Sequence, residues 1–515
     1  MIVKNAVFIS MTILTLCAFM AQIAIDPSAH NFISVCVVTA SSFAMLFYLW
    51  LTPALTTHPL SSFSLLGFCV STQLGALIVQ SFTWHALTSS LYDPFYTFAT
   101  LAFYQAIAMA VHATLGFFSN IESSNQGVAR SLLEWFGVYK IPTSATLWFM
   151  GWVGLVSFIF SSRENALAKL SSAFNFLAWA PFLIPIYTRE VGIQYCNVRR
   201  NTALLITYAA GLGLMAIGMN IRKYLFVGGA TVFLLYALVA LRSSAHLNKQ
   251  WMMRIGVAAI VLSVLFVPLS DLATAMAVVR QSRGKLPAAE LVAKTFYVWR
   301  SPRLIQAYRM DAKVALQGSI YDEYYFANPM IARFVETKFH DNSLHFARKI
   351  TSDGDQRRLV SITADMFWAA LPAPFLSVLG VAVRKDELNF SVGDYLVYLG
   401  AGLPLGGKKT GSMLAQGQVL MGPLFPFVYA LICWLLFSLM DLLTVRTLAG
   451  GTTVSALAMM NIWDYYLYGL TSDGLHAKFV FVVRDFAQWV VIYGVILALA
   501  GLLLREKLRL NDLPQ

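Results

Sequence analysis

The sequence predicts an all-α membrane protein with many transmembrane helices and one large, mostly helical external loop. Of the 515 residues, 58% are hydrophobic and only 12% are charged, which is too apolar for a soluble globular domain. The charges are unevenly spread, because residues from about Arg280 to Ser412 hold 18 of the 37 Lys and Arg and 12 of the 25 Asp and Glu. Apolar runs of spanning length fill the chain on both sides of this polar region.

Twelve apolar segments are long enough to cross a bilayer, since a hydrocarbon core of about 30 Å needs roughly 20 residues of helix. The chain therefore divides into nine N-terminal transmembrane helices (1–279), the loop (280–412) and three C-terminal transmembrane helices with a short tail (413–515). The twelve segments lie near 6–25, 32–52, 62–83, 94–118, 145–162, 166–187, 202–220, 224–242, 251–279, 413–443, 452–470 and 477–504.

The distribution of basic residues predicts that both termini are cytoplasmic. With the N-terminus inside, the short loops on the cytoplasmic side carry 13 Lys and Arg, and those on the opposite side carry 6. Positive charge favours the cytoplasmic side in short loops, whereas long translocated loops are exempt from the rule. The loop 280–412 is therefore expected on the outer side of the membrane.

Within the loop, Ser301–Gln317 and Glu323–Thr337 mix charged with apolar side chains and are expected to form surface helices. Leu359–Val381 and Phe390–Leu405 are apolar enough to contact the membrane. If both of these segments crossed it, the chain would have fourteen spans, with the termini on the same side as before.

No sequence motif indicates a metal or a cofactor. None of the five cysteines lies in the loop, so neither a disulfide framework nor a cysteine-based metal site is indicated. His340 and His345 are five residues apart, a poor spacing for one helical face, and neither a Walker loop nor a dinucleotide fingerprint occurs. We expect no metal, no cofactor and no nucleic-acid partner.

The first candidate site is the excess of basic residues in the loop. Guanidinium groups bind phosphate oxygens in pairs, so such a surface suits a pyrophosphate or an anionic sugar. The other interpretation is a solvated loop that rests on anionic headgroups, which needs the same charges. The candidate substrate-binding cations are Arg300, Arg303, Arg309, Arg357 and Lys408.

The second candidate is the string Tyr321-Asp322-Glu323-Tyr324-Tyr325-Phe326. Aromatic rings stack on the apolar faces of sugars, and carboxylates accept hydroxyl protons or act as a general base. Tyr324 and Tyr325 are the candidate stacking residues, and Asp322 and Glu323 are candidate bases. A helix start would also explain the pattern, since acidic residues are favoured in a first turn while the rings pack below.

The third candidate lies within the last two predicted spans. Ionisable residues at mid-membrane cost roughly 2.5–3.5 kcal/mol each on insertion scales and are usually functional or paired. Asp464 and Arg484 are both predicted about 10 Å below the outer surface, at a helical rise of about 1.5 Å per residue, so we expect them to pair across the hairpin. Asp271 reaches a comparable depth, and His476 in the last outer loop is a further candidate base. The alternative is an ion pair that only fixes the hairpin.

From the end of the loop onward, the chain resembles the Wzy-type polymerases, which link the oligosaccharide repeat units of O-antigens and capsules. Leu371-Pro372-Ala373-Pro374, followed by Arg384-Lys385 and Phe390, resembles the segment that ends the family's loop. Gly411–Gly422 resembles the start of the next helix, where a small or polar stretch leads to a glycine that lets the backbone pack closely. Arg484 resembles an arginine near the outer start of the final helices. The resemblance covers about the last 150 residues.

The resemblance implies a glycosyltransferase of the bacterial inner membrane whose donor is a polyprenyl-pyrophosphate-linked oligosaccharide. The sugar of one unit would attack the anomeric carbon of another, and polyprenyl pyrophosphate would leave, so neither a nucleotide nor ATP is needed. Preorganised cations would stabilise the charge that develops on the leaving group. The candidates for that role are Arg300, Arg303, Arg309 and Arg484. The candidate bases are Asp322, Glu323 and His476. The partners implied are membrane lipids, a chain-length regulator and a flippase.

Three other functions fit parts of the sequence. An O-antigen ligase, which transfers the finished glycan to lipid A-core, would need a similar topology and similar arginines. A flippase for the same lipid-linked sugars is the next alternative, although the large loop and the lack of detectable repeat halves argue against it. A scaffolding subunit of the membrane would leave the intramembrane charges without an explanation.

Overall fold

The computed structural model is a bundle of membrane-spanning helices, about 80% helical. It describes residues 2–118, 127–161, 171–185, 198–242, 267–282, 286–315, 321–323, 325–326, 331–371, 373–383, 388, 390–446, 452–467, 469–471 and 473–504. Among these, eight helices are long and apolar enough to cross a membrane, and two apolar helices are shorter. The predicted class, an all-α multi-pass membrane protein, is confirmed.

The described residues before the loop include eleven α-helices. They are α1 (Ile2–Ile25), α2 (Ala29–Leu51), α3 (Ala54–Thr57), α4 (Pro59–Cys69), α5 (Gly75–Phe82), α6 (Pro94–Phe118), α7 (Gly127–Trp135), α8 (Ser144–Ser161), α9 (Val198–Gly218), α10 (Lys223–Arg242) and α11 (Val267–Val278). A π turn, Val70–Leu74, joins α4 to α5, and 3₁₀ segments occupy Asn175–Leu183 and Val279–Ser282.

The loop and the C-terminal part contain the remaining elements. The loop has α12 (Ala288–Trp299), α13 (Pro302–Ala315), a 3₁₀ turn (Ile331–Arg333), α14 (Thr337–Arg348), α15 (Asp353–Ala369), α16 (Ala373–Val378) and α17 (Val392–Ala401). After it come α18 (Met413–Met421), a 3₁₀ turn (Gly422–Leu424), α19 (Phe425–Leu442), β1 (Thr444–Arg446), β2 (Thr452–Val454), α20 (Ala456–Met460), α21 (Ile462–Leu467), α22 (Leu475–Val480), a π turn (Phe481–Asp485) and α23 (Phe486–Leu503).

Two of the predicted spans take another form. In the predicted span 166–187, the described residues form the 3₁₀ segment Asn175–Leu183, in which Pro181 removes a backbone donor that an α-helix would need. In the predicted span 452–470, β2 pairs antiparallel with β1, with Thr444 opposite Val454, and two short helices follow. They are separated at Asn461, whose side chain donates to the Leu457 carbonyl at 3.1 Å. The prediction of a single helix in each place is wrong.

The loop also differs from its predicted surface helices. Ser301–Gln317 corresponds to α13, but Glu323–Thr337 is not a helix, since its described residues contain only the 3₁₀ turn Ile331–Arg333. The helix that follows, α14, is buried between the spans instead of lying on the surface. Leu359–Val381 and Phe390–Leu405 correspond to α15, α16 and α17, of which the longest has 17 residues.

Hydrogen bonds between residues distant in sequence define the two ends of the bundle. At one end, Tyr325 donates to the Leu87 carbonyl at 2.7 Å, and Gln22 donates to the His85 carbonyl at 2.9 Å. We call this the loop end. At the other end, Tyr139 donates to the Leu442 carbonyl at 2.8 Å, and we call it the opposite end.

Close packing inside the bundle depends on small residues. A Cβ at Gly67 in α4 would lie 1.9 Å from the Tyr466 carbonyl oxygen, so only glycine lets α4 approach α21 this closely. In the segment Gly411–Gly422, the closely packed glycine is Gly417, where a Cβ would lie 2.1 Å from the Phe425 ring. Gly422 has open space around it and instead ends α18 with a φ of +52°.

Candidate functional site

The candidate site is built around α14, a polar helix in the interior of the protein. Ten of its twelve residues are buried, including Lys338, His340, Asp341 and Asn342. Charged side chains are almost never fully buried unless they are paired. Specific hydrogen-bonding and ionic partners must therefore stabilise the charged side chains of α14 in the interior.

The start of α14 is anchored to the π turn of the third long span. The Glu336 amide donates to the Ser71 carbonyl at 2.7 Å, and the Thr337 hydroxyl donates to the Thr72 carbonyl, also at 2.7 Å. A π turn shifts the register of the backbone bonds and is found mostly at functional sites. Its carbonyls here accept the first donors of α14, which locks the helix into the bundle.

Asp341 fixes α14 against the start of α6. Its carboxylate accepts from the Tyr92 amide at 2.9 Å, the Asp93 amide at 3.2 Å and the Thr97 hydroxyl at 3.1 Å. These donors surround the N-terminus of α6, where a negative charge is favoured by the unpaired amides and by the helix dipole. Asp341 thus holds the start of a helix whose bonded residues lie 244 to 249 positions away in sequence.

Lys338 neutralises this buried carboxylate. Its Nζ lies 3.2 Å from Asp341 Oδ2, and the two side chains are 3% and 0% exposed. The ammonium also donates to the Ser90 carbonyl and lies 4.2 Å from the centre of the Tyr92 ring. Burial lowers the pKa of Lys338, while the charge of Asp341 and its hydrogen bond oppose the change.

The last turn of α14 emerges beside two tyrosines at the loop end. The His345 ring stacks on Tyr92 with centroids 4.2 Å apart and planes at 12°. The Arg348 guanidinium lies 4.5 Å from the centre of the Tyr96 ring and donates to Asp93 at 2.5 Å. Since Arg348 is 55% exposed, its charge is also accessible from outside the protein.

The segment that contains the predicted aromatic string extends this surface. Tyr321 donates to Glu323 at 2.8 Å, and its ring lies 5.3 Å from Lys409 Nζ. The Asp322 amide donates to the Tyr92 hydroxyl at 3.3 Å, which brings the two segments together. We call Tyr92, Tyr96, Tyr321, Glu323, His345 and Arg348 the aromatic–cationic patch.

Burial favours the neutral forms of three rings of the patch, Tyr92, Tyr321 and His345. Burial lowers the pKa of His345, and the charge of Lys349 lowers it further. Burial raises the pKa of Tyr92, and the same effect, with Glu323 adding to it, raises the pKa of Tyr321. The permanent positive charge of the patch is therefore that of Arg348.

A buried carboxylate fixes the backbone that carries Lys408. Asp394 is 0% exposed and accepts from the amides of Lys408 at 3.0 Å and Lys409 at 3.3 Å. Burial by itself would raise the pKa of Asp394, but its hydrogen bonds with Lys409 and Ser391 outweigh this effect and lower it. The predicted cation Lys408 is exposed on this loop, with a φ of +52°.

Beneath the patch, a polar layer joins α14 to α18 and α22. His340 Nδ1 lies 2.8 Å from the Ser412 hydroxyl, and burial lowers the pKa of His340 to about 4. Gln416 donates to Thr363 at 2.9 Å and accepts from the Leu475 amide at 2.9 Å. His476, predicted as a base, is half-buried next to this layer.

The arginines predicted for the leaving group lie on other parts of the loop. Arg300 and Arg303 are exposed at the junction of α12 and α13. The buried side chains of these helices pack with residues 275–279 of the preceding segment. Arg309 donates to Asp271 at 2.8 Å, and also to Ser270 and Thr274, so it holds α13 on α11. Arg357 is exposed on α15, one residue before Arg358, whose guanidinium lies 5.1 Å from the Tyr398 ring.

The predicted pair of Asp464 and Arg484 is wrong. Asp464 accepts from Lys223 at the start of α10 at 2.7 Å. Arg484 Nε donates to its neighbour Asp485 at 2.9 Å and is 50% exposed. The physical reason is local, because Arg484 belongs to the π turn Phe481–Asp485, and Asp464 begins a separate short helix that faces α10.

Of the two predicted stacking residues, Tyr325 was predicted incorrectly. Tyr325 is buried, only 5% exposed, and its hydroxyl donates to the Leu87 carbonyl, so it is a core residue and not a surface for sugar. Tyr324 lies outside the described residues. Among the described rings of the string, Tyr321 is the one that is partly exposed.

Sequence reasoning missed the centre of this arrangement. Lys338, Asp341 and Tyr92 were not among the predicted site residues. The sequence 337–342 carries one signal, since two opposite charges three residues apart can pair on one helical face. Nothing in the sequence shows that this face is buried, because the burial depends on helices more than 200 residues away.

Comparisons of the chain with protein-family models, with curated proteins and with solved structures found no match.

Proposed function

We propose that the chain is a polysaccharide polymerase of the bacterial inner membrane, which joins polyprenyl-pyrophosphate-linked oligosaccharide repeat units at the loop end. The observation that carries the proposal is the buried polar helix α14, held rigidly among the spans, whose last turn presents Arg348 and His345 beside three tyrosines. A rigid cation among aromatic rings, at the end of a membrane bundle, matches a substrate with a lipid tail, an anionic link and sugars.

The anionic link would bind at Arg348. A guanidinium offers a planar fork of donors that matches phosphate oxygens, and its charge stabilises the negative charge that develops as the pyrophosphate leaves. Its salt bridge to Asp93 and its contact with Tyr96 fix its position before substrate binds. Lys408 and Lys409 lie on the loop next to Tyr321 and are the further cations for the second phosphate.

The sugars would lie on the rings of the patch. Tyr96 and Tyr321 offer apolar ring surface with a polar hydroxyl at the margin, a combination that suits the mixed surface of a sugar ring. The Tyr92 ring is already covered by His345 and Lys338. Glu323, which is exposed and accepts from the Tyr321 hydroxyl, is the base proposed for the acceptor hydroxyl.

The reaction forms one bond and breaks one. The acceptor oxygen bonds to the anomeric carbon of the donor sugar, the bond from that carbon to the pyrophosphate oxygen breaks, and the acceptor proton passes to Glu323. Polyprenyl pyrophosphate is the leaving group. The acceptor is a second lipid-linked repeat unit, and neither a nucleotide nor a redox group takes part.

The proposal is tested by complementing a gene-deletion strain and separating its lipopolysaccharide or capsule by length on a gel. Wild type, Arg348→Ala and Arg303→Ala are compared at equal membrane expression. Arg303→Ala is the matched control, because it removes an exposed arginine of the loop that does not belong to the patch.

We expect a full ladder with the wild type and Arg303→Ala, and a single band of core plus one repeat unit with Arg348→Ala. Complete loss of attached glycan, with long polymer still on the lipid carrier, would instead show a ligase. Single repeat units trapped on the cytoplasmic face would show a flippase and would overturn the proposal.

A further inference from the structure

A second polar cluster lies at the opposite end of the bundle. Tyr48 belongs to α2, Ser61 to α4, His112 to α6 and Asp441 to α19, and His58 precedes α4 directly. Four helices and a connection therefore bring five polar side chains together. The patch at the loop end does not use any of them.

The five side chains form one chain of hydrogen bonds. His58 Nδ1 lies 2.6 Å from Asp441 Oδ2, and the Ser61 hydroxyl donates to Asp441 Oδ1 at 2.7 Å. His112 Nε2 lies 3.0 Å from the Ser61 oxygen, and the Tyr48 hydroxyl lies 2.8 Å from His112 Nδ1.

A single assignment of protons satisfies every link of this chain. If Tyr48 donates to His112 Nδ1, then His112 Nε2 carries a proton and donates to Ser61, which donates to Asp441. The other oxygen of Asp441 accepts from His58. The carboxylate is thus the acceptor from both sides, and each hydroxyl or imidazole N–H of the chain donates to the next group toward Asp441.

Burying these polar and ionisable side chains costs free energy, which indicates that the cluster has a function. Asp441 and His58 are 17% and 13% exposed, while Ser61 and His112 are buried. Ionisable groups within membrane spans are rare and usually mark a binding or transfer site for ions or protons. A nucleophilic role for Ser61 does not fit, since neither Ser61 nor His112 is accessible to a substrate.

The charged and titratable groups that act on the two histidines come from the cluster itself. Asp441 acts on both, and His58 also acts on His112. Two further groups lie at the same end: Lys4 donates to the Thr52 carbonyl at 3.1 Å, and Tyr139 donates to the Leu442 carbonyl at 2.8 Å.

We propose that His58, Asp441, Ser61, His112 and Tyr48 form a proton-binding site that opens on the opposite end of the bundle through His58. The imidazole of His58 takes one proton from water to give an imidazolium–carboxylate pair with Asp441, and it returns that proton to water on release. Hydrogen bonds from Ser61 hold the carboxylate in place in both states.

The electrostatic environment of His58 agrees with a proton-binding role. Burial lowers the pKa of His58, but the hydrogen bond with Asp441 and the charge of that carboxylate outweigh the effect and raise it above the ordinary value. The contact with Asp441 therefore favours the protonated form of His58.

The test measures the titration of His58 directly, with no need for sugar transfer. Purified full-length protein in detergent is reacted with diethyl pyrocarbonate, which modifies neutral imidazole, at a series of pH values, and the rate at each histidine is read by mass spectrometry. Wild type and Asp441→Asn are compared. The exposed His30, at the loop end, is the internal control.

We expect the half-point of His58 to fall by about one pH unit or more in Asp441→Asn, since an opposite charge in contact typically shifts a pKa by about 1–3 units. The profile of His30 should not change. An unchanged half-point of His58 in the variant would overturn the proposal. If Asp441→Asn does not fold, the wild type decides, because a half-point of His58 below 6.5 contradicts a site stabilised by Asp441.

Discussion

The two halves of the loop differ in how they use their charges. In the first half, Arg300 and Arg303 are exposed, and Arg309 is bonded to Asp271 of a neighbouring helix at the protein surface. In the second half, α14 carries an ion pair into the interior, with Lys338 and Asp341 only 3% and 0% exposed. Both halves are rich in charge, but this buried ion pair belongs to the second.

This difference shows that charge density alone does not locate a site. An exposed arginine is solvated and can move, so it contributes little preorganised stabilisation to a reaction. Arg348 differs from Arg303 because Asp93, Tyr96 and the buried part of α14 hold it in one position. The rigid support behind a cation is therefore the better criterion.

The largest expected effect comes from breaking the buried ion pair. Asp341→Asn leaves the ammonium of Lys338 buried without its counter-charge, and such losses cost about 3–5 kcal/mol. We expect the midpoint of thermal unfolding in detergent to fall by on the order of 10 °C. Asp353→Asn, which changes an exposed carboxylate in the first turn of α15, is the control. Equal stability of the two variants would show that α14 is not held by this pair.

The second effect compares the two arginines. Arg348→Ala should lower the rate of chain elongation by about 100-fold, the cost typical of losing one preorganised donor to a developing charge. Arg303→Ala should change the rate by less than about threefold, because solvated charges act weakly through water. Elongation is measured in membrane vesicles supplied with lipid-linked repeat units. Equal losses in the two variants would remove the distinction between the halves of the loop.

The third effect is a pH dependence from His345. Its pKa in the folded protein lies below the ordinary value of 6.5, mainly because of burial. The folded state therefore favours the neutral ring, and the stabilisation is complete above pH 6.5 and is lost as the pH falls through the folded pKa. We expect elongation to decline below pH 6.5 in the wild type and to depend less on pH in His345→Gln. A decline that is identical in both would assign it to another group.

The smallest effect is expected at Arg309. Its side chain is 37% exposed and bonds to Asp271, which is 31% exposed, and pairs of this kind contribute about 0–1 kcal/mol. Arg309→Met should lower the free energy of unfolding by about 1 kcal/mol or less, which lowers the unfolding midpoint by only a few degrees. It should leave the lengths of the glycan products unchanged. Shortened products at normal stability would place Arg309 in the site after all.

The sequence was sufficient for the class of fold and for most of the long helices. Runs of apolar residues such as 94–118 predict spans because the bilayer imposes a length on each helix. The sequence was insufficient where individual residues interrupt the α-helix within an apolar run. Pro181 breaks the α-helical pattern of one predicted span, and β2 and Asn461 interrupt another, although all of these residues lie in strongly apolar surroundings.

The candidate site was predicted only in outline. Asp322, Glu323 and Lys408 do lie next to the patch, but its centre depends on contacts between Tyr92 and α14, which are about 250 residues apart. Contacts between residues so far apart produce no periodic pattern in a single sequence from which they could be predicted. The same applies to Asp464, for which the sequence predicted Arg484 as the partner while the structure pairs it with Lys223.

The most direct test of the account uses purified protein in liposomes with a polyprenyl-pyrophosphate-linked repeat unit as the only substrate. We predict that wild type and Arg303→Ala convert it to a ladder of longer lipid-linked chains, with release of polyprenyl pyrophosphate and without nucleotide. Arg348→Ala should leave the single unit almost unchanged under the same conditions. If folded wild-type protein produces no chain longer than one unit, or if Arg348→Ala produces the full ladder, the proposed site is contradicted.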